Sequence, residues 1–279
     1  GTVRAWPYMT DGLLQLRLAC DRQGRTRLVE RKQRYPLTTT AVLPLDAGPG
    51  ALIYVQNAAG SVFGGDRLHL DVALGDGAEL CLSTPSATRL QGDTLSVQTS
   101  HISVGKGAFL ESIPDMLIPH ARSMHRQHTL VELASGGRAI IADALAPGRV
   151  ASGERHAYQL LALRLRVCVE GSSILHDAAT FCPDEADPWL EGALGRQGYV
   201  GTLFALTQEG CAAELADRVH AGIASVQGVY GGASPLASGY GVVARLLADD
   251  SPLLRHAMQL TWDLMRRCLL GRPAPQLRK

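Results

Sequence analysis

Apolar and polar residues alternate with a period of two through most of the chain. Leu14, Leu16 and Leu18 alternate with Gln15 and Arg17. Leu68, Leu70, Val72 and Leu74 alternate with His69 and Asp71. Leu161, Leu163, Leu165, Val167 and Val169 enclose Arg164 and Arg166. Such a period sends successive side chains to opposite faces, so each run predicts a β-strand with one buried face. Glycines punctuate the runs at Gly75-Asp76-Gly77, Gly105-Lys106-Gly107, Ser135-Gly136-Gly137 and Glu170-Gly171-Ser172. Glycine accepts the positive φ of tight hairpin turns, and these read as such turns. The leading glycines at 75, 105, 136 and 171 are 30, 31 and 35 residues apart. Stacked coils, layers of hairpins or a sandwich of evenly sized strands all give that period.

Helical periodicity is confined to the C-terminal third. Residues 212–224 carry Leu215, Val219 and Ile223 at four-residue steps. A second helix is predicted over 252–270, with Ser251 as its cap, Pro252 in its first turn, and Gly271 and Pro273 ending it. Its polar stripe is Arg255, His256, Gln259, Asp263, Arg266 and Arg267. So wide an apolar arc predicts either packing on two sides, a core on one and a partner on the other, or a helix that seals an open end of the β structure. Arg255, Gln259, Trp262 and Arg266 are the candidate partner-binding residues. The basic, Pro-containing segment 272–279 is expected to fray. The expected architecture is one domain over 1–279, mainly β, with two α-helices near the C-terminus.

Bulk composition narrows the function. The chain has 279 residues, 46% apolar and 19% charged, enough for a core without disulfide or metal staples. Its 27 basic and 26 acidic residues leave no basic footprint for nucleic acid. No apolar run reaches the roughly 18 residues of a membrane span. No signal-peptide pattern is read at the start of the sequence, and the expected location is cytoplasmic. Cys20, Cys81, Cys168, Cys182, Cys211 and Cys268 are irregularly spaced with no C-x-x-C pair, and read as reduced core or near-core thiols.

The densest candidate motif is Gly60-Ser61-Val62-Phe63-Gly64-Gly65-Asp66-Arg67. No Gly-Lys-Ser/Thr follows it and the next segment reads as strand, which excludes a P-loop and a dinucleotide fingerprint. No G-x-S-x-G nucleophile elbow occurs. What remains is a tight double turn in which Asp66 either bonds the local backbone or faces a channel or partner. His120, His125 and His128 invite a metal reading, but on a strand 125 and 128 face opposite ways. Asp66, Glu111, Asp115, Asp143, Glu154 and Asp177 are scattered acids, with no two placed on one face by spacing. Arg149 and Glu154 are expected to pair across a turn. A carbohydrate-binding or hydrolytic β-helix would need a carboxylate pair or an aromatic shelf. The 14 aromatic residues are too thinly spread for the latter.

Five blocks in order resemble one family. Q-N-A-A-G-S-V-F-G-G-D-R-L at 56–68 resembles the N-P-G-G-x-x-x-G-G-D-x-L signature of urease accessory protein D, called H in some bacteria. L-S-T-P-S-A-T-R-L at 82–90, F-L-E-S-I-P-D-M-L-I-P at 109–119 and A-P-G-R-V-A-S-G-E at 146–154 are similar to its later blocks. G-V-V-A-R-L-L-A-D-D-S-P-L-L-R at 241–255, followed by W-D-L-M-R-R at 262–267, is similar to its closing strand and helix. Ala58-Ala59 replaces the family's Pro-Gly, Asp115 stands where Glu is common, and the first 50 or so residues match loosely.

The resemblance implies a β-helix-like stack of hairpins and strands, with no catalysis and no tightly bound cofactor. It implies a scaffold that binds apo-urease, a helical accessory protein and a nickel-binding GTPase, and guides Ni²⁺ toward the urease active site. GTP would sit on the partner alone. Ni²⁺ binds stray His and Cys sites tightly, so a conduit needs weak oxygen donors and not a closed cage. On this reading Asp66, Asp143, Glu154 and Asp177 are the candidate passage carboxylates. Gly60, Gly64, Gly65 and Arg149 are the structural signature.

Overall fold

The structure, a computed structural model, describes residues 10–190, 193–208 and 210–277. In chain order the strands are β1 (Asp11–Cys20), β2 (Thr26–Arg34), β3 (Leu37–Thr39), β4 (Leu43–Pro44), β5 (Ala51–Asn57), β6 (Val62–Phe63) and β7 (Arg67–Leu74). Next come β8 (Glu79–Ser83), β9 (Thr88–Gln91), β10 (Leu95–Val104), β11 (Phe109–Ile113), β12 (Leu117–Pro119), β13 (Met124–Leu133) and β14 (Arg138–Leu145). The last are β15 (Leu160–Val169), β16 (Ser172–Phe181), β17 (Tyr199–Leu206), β18 (Tyr230–Pro235) and β19 (Gly241–Ala248). Helix α1 (Ala212–Ala224) precedes β18, and α2 (Ser251–Leu270) follows β19.

The strands form two open sheets. The first runs β16-β15-β13-β10-β7-β1-β2, and its five inner strands are parallel. The second has the main order β18-β19-β17-β14-β11-β8-β5-β3, with β5, β8, β11 and β14 parallel. Strands joined by a tight turn within one sheet must be antiparallel. The turns at Gly75-Asp76-Gly77, Gly105-Lys106-Gly107 and Ser135-Gly136-Gly137 are therefore not hairpins. Each carries the chain from a strand of the first sheet to a strand of the second, as from β7 to β8. Stacked corners bond to one another: the Gly77 N–H donates to the Lys106 carbonyl at 2.9 Å. The 30-residue period is one circuit between the sheets. Glu170-Gly171-Ser172 alone of the four is a true hairpin, joining antiparallel β15 and β16.

Two apolar layers follow from this arrangement. Leu14, Val72, Ile102, Val131 and Val167 of the first sheet meet Leu80, Leu110, Ala139 and Ile141 of the second. The opposite face of the second sheet, with Cys81, Ile140, Ala142 and Ala244, is covered by α1 and α2. Leu215, Val219 and Ile223 face it from α1, as their spacing predicts. Helix α2 is capped one residue earlier than its sequence predicts. The Asp250 side chain, not Ser251, accepts the Leu253 N–H at 2.8 Å. Gly271 ends the helix at φ 70°.

Segment 272–277, expected to fray, is tied to the body. Arg272 donates to Asp46 at 2.9 Å and to Glu79, and the Ala274 N–H donates to Asp263 at 2.8 Å. The two residues after it lie outside the described residues.

Candidate functional site

Between the two sheets the apolar rows are interrupted at one level. On the first sheet the inward positions of β7, β10, β13 and β15 align as Leu68, Gln98, Gln127 and Leu163, then Leu70, Ser100, Thr129 and Leu165. On one side of these rows the inward residues are apolar (Val72, Ile102, Val131 and Val167), and on the other Ser96 and His125 continue the polar run on β10 and β13. The interruption leaves a cavity of about 130 Å³, lined by Gln98, Ser100, Gln127 and Thr129 from one side and Ser83, Ser112 and Asp143 from the other. The sequence signal was available: the inward phase of β10 and β13 is polar over its first half (Ser96, Gln98, Ser100; His125, Gln127, Thr129) and apolar over its second.

Asp143 is the acid at this level. It sits on β14, and Gln127 Nε2 donates to its Oδ1 at 3.4 Å. Burial pushes its carboxyl up to about 7, and the nearby Asp177 carboxylate adds to the rise. Register places Asp143 beside Thr202 of β17, and Thr202 beside Arg245 of β19. Arg245 reaches across to Asp177 on β16, so this ion pair joins the two sheets next to Asp143. Of the four candidate passage acids the structure brings Asp143 and Asp177 together.

Asp66 and Glu154 lie elsewhere, each with a local partner. Asp66 is buried, and its Oδ2 accepts the Phe63 N–H at 2.8 Å. Its carboxylate faces the turn. Gly60 and Gly65 hold φ of 79° and 87°. A Cβ on Gly64 would stand 2.9 Å from the Thr94 carbonyl oxygen, so the close approach of the chain requires glycine there. Replacing Asp66 by Ala should cost about 1 kcal/mol of stability, and by Asn less, since the carboxamide oxygen still accepts. Urea unfolding measures both. Equal stability of all three chains would show that Asp66 does not hold the turn. Glu154 pairs with Arg149 and accepts the Ala121 N–H at 3.0 Å. Those bonds, that of Arg149 first, lower its carboxyl to about 2.

The histidines form no ion site. His125 points inward and its Nδ1 is 2.9 Å from Ser96 Oγ, while burial holds the ring down to about 4. Among the described residues no cluster of three or more His, Cys, Asp or Glu could hold a metal.

The proposed partner face of α2 needs correction. Arg255, Gln259, Trp262 and Arg266 do share one side of the helix, but that side turns inward at its C-terminal end. Trp262 is 1% exposed and Arg266 0%. Trp262 Nε1 donates to Glu111 Oε1 at 2.6 Å, and Arg266 Nε donates to the two oxygens of Glu111 at 3.0 and 3.1 Å. Arg266 also donates to Asp46 at 2.8 Å and to the Pro273 carbonyl. Gln259 donates to the Pro275 carbonyl at 3.3 Å, and Arg255 pairs with Asp115 at 2.9 Å. A polar stripe on a helix reads as solvent-facing unless charges lie beneath it, and here they do. Burial pushes the Glu111 carboxyl up, opposed by Arg266 and the Trp262 N–H.

The blocks at 82–90 and 109–119 contribute Ser83 and Ser112 to the cavity wall, and those at 109–119 and 262–267 contribute Glu111, Trp262 and Arg266 to the buried ion cluster. A family model described as UreD urease accessory protein matches residues 10–279. The chain belongs to this family. It is 34% identical over 272 residues to urease accessory protein UreD of Haloarcula marismortui, covering 96% of this chain and 90% of that one. It is 37% identical over 277 residues to urease accessory protein UreD 2 of Streptomyces griseus, covering 96% and 93%. UreD proteins serve urease maturation as accessory proteins, not as enzymes. No described helix is long and apolar enough to cross a membrane. The family match extends to residue 10, well before the first of the five sequence blocks.

Proposed function

We propose that this UreD chain is a scaffold that binds apo-urease together with a helical accessory protein and a nickel-binding GTPase, and that Ni²⁺ passes through the space between its two sheets. The observation that carries this reading is the cavity in which Asp143 faces Gln98, Ser100, Gln127 and Thr129. A delivered ion must be held and then released. Hydroxyls, carboxamides and a single carboxylate are hard, weak donors for nickel, whereas an imidazole or thiolate cage would retain it. Neighbouring strands stack their inner faces, so Gln98 and Ser100 of β10 stand beside Gln127 and Thr129 of β13 as one polar patch. The Asp177–Arg245 pair closes one side of that level.

A block of the cavity tests the passage apart from the assembly. Ser100 is buried and lines it. In Ser100→Leu the added carbons fill the space without touching the outer surface. The expected result is a chain that still co-purifies with urease and the accessory proteins but activates urease to a small fraction of the normal level. Full activation by Ser100→Leu would sink the route through the cavity. Failure of the wild-type chain to co-purify with these partners would sink the scaffold reading itself.

A further inference from the structure

The helical layer carries chemistry that nickel passage does not use. Cys211 and Cys268 lie 57 residues apart in sequence, yet their sulfurs stand 3.8 Å apart, the Cys268 thiol donating to Cys211 Sγ. Cys211 is the residue before α1 and makes no side-chain capping bond, so its sulfur is not committed to the helix end. Cys268 lies in the last turn of α2. Both are half-buried, open to a small reagent, whereas Cys81 and Cys168 are buried within β8 and β15. Two sulfurs in van der Waals contact need to approach by under about 2 Å to reach the disulfide bond length of about 2.05 Å. Cys211 stands at the junction of a loop and a helix.

A shared metal ion is the competing use of two neighbouring sulfurs. It needs thiolates and further donors. Burial, with the contact to Cys211, holds the Cys268 thiol up to about 11, protonated at neutral pH. No third His, Cys, Asp or Glu completes a site among the described residues.

We propose that Cys211 and Cys268 are an oxidation site that forms an intramolecular disulfide with a peroxide-class oxidant, fastening the start of α1 to the end of α2. Because Cys268 holds its proton, the Cys211 sulfur is the one that gives up two electrons to the peroxide, becoming a sulfenic acid as the O–O bond breaks and one water leaves. Cys268 then attacks that sulfur, its proton leaving with the sulfenic hydroxyl as a second water while the S–S bond forms. The link lies on the far side of the second sheet from the cavity. It restrains the two helices against one another and leaves the Asp143 level unaltered.

The test treats the full-length chain, kept native, with a small molar excess of hydrogen peroxide, then alkylates free thiols and maps tryptic peptides by mass. The expected product is a cross-linked pair of peptides containing Cys211 and Cys268, two hydrogens lighter than their sum and restored by reductant. The titratable thiols fall by two from the six of the reduced chain. Cys268→Ser should abolish the link, and thermal unfolding of the oxidised wild-type chain should move to higher temperature relative to the reduced one. Phenylarsine oxide, which bridges two adjacent thiols, should bind one equivalent before oxidation and none after it. Separate alkylation of Cys211 and Cys268 after peroxide, pairing of either with another cysteine, or irreversible sulfinic acid at either position would overturn the proposal. The wild-type map decides the matter even if a serine variant fails to fold.

Discussion

Replacing Arg266 by Leu should destabilise the chain by about 3–5 kcal/mol, because it leaves buried carboxylates without their partner. Arg266 is fully buried and is the common donor to Glu111, Asp46 and the Pro273 carbonyl. Glu111 is 1% exposed. Its remaining donor in the variant would be Trp262 Nε1, a neutral group that does not balance a charge. Asp46 would retain Arg272 at 2.9 Å, so the larger part of the loss falls on Glu111. Glu111→Gln should cost less, about 1–3 kcal/mol, since Arg266 keeps Asp46 and the carboxamide still accepts from Trp262. In the double variant Glu111→Leu with Arg266→Leu the loss should be smaller than the sum of the two single losses, because neither charge is left alone. Urea unfolding of the wild type, Glu111→Gln, the two single Leu variants and the double variant measures this. A partner-facing Arg266 would give the opposite pattern, with unchanged midpoints and lost co-purification. A loss below about 1 kcal/mol in Arg266→Leu would overturn the buried-cluster account.

This cluster marks where the sequence stopped being legible. The strands were readable because their alternation is local: Leu68 to Leu74 declares its buried face without reference to any other strand. The helices were readable for the same reason, and α1 spans the residues that its four-residue steps predicted. The stacking was not readable. Gly75-Asp76-Gly77 has the composition of a hairpin turn, and only the parallel partners of β7 and β8, some thirty residues away, show it to be a corner between sheets. The face of α2 was misassigned because hydropathy assigns Arg266 to water, while the acids that compensate it lie 155 and 220 residues away. Asp66 illustrates the reverse case. Its two readings could not be separated by spacing, and a backbone bond three residues away places its carboxylate on the turn. The pairing of Asp143 with Asp177 needed the register of β14, β17 and β19 against the far edge of the first sheet.

Asp143→Asn should raise stability at pH 8 by on the order of 2–4 kcal/mol while removing most urease activation. The unfolded chain releases this proton near 3.8, whereas the folded chain holds it to about 7. Between those values the folded state binds more protons than the unfolded state, so stability from this group falls as pH rises and is lowest above 7. The neutral carboxamide never ionises, so the gain should be small near pH 4, grow through pH 5 and 6, and level off above pH 7. Urea unfolding of both chains at several pH values reads this difference directly, with effects of other groups common to both. A gain that is the same at pH 5 and pH 8 would show that Asp143 does not ionise against burial. The same proton governs the proposed cargo step, because a carboxylic acid is a poor ligand and the ionised form attracts a divalent cation. The ratio of wild-type to Asp143→Asn activation should therefore rise with pH through about 7. A wild-type site that costs stability when charged, and is repaid when a cation arrives, is what an open passage requires. A carboxylate stabilised by a fixed partner, such as Glu154 beside Arg149, has no need of a passing ion.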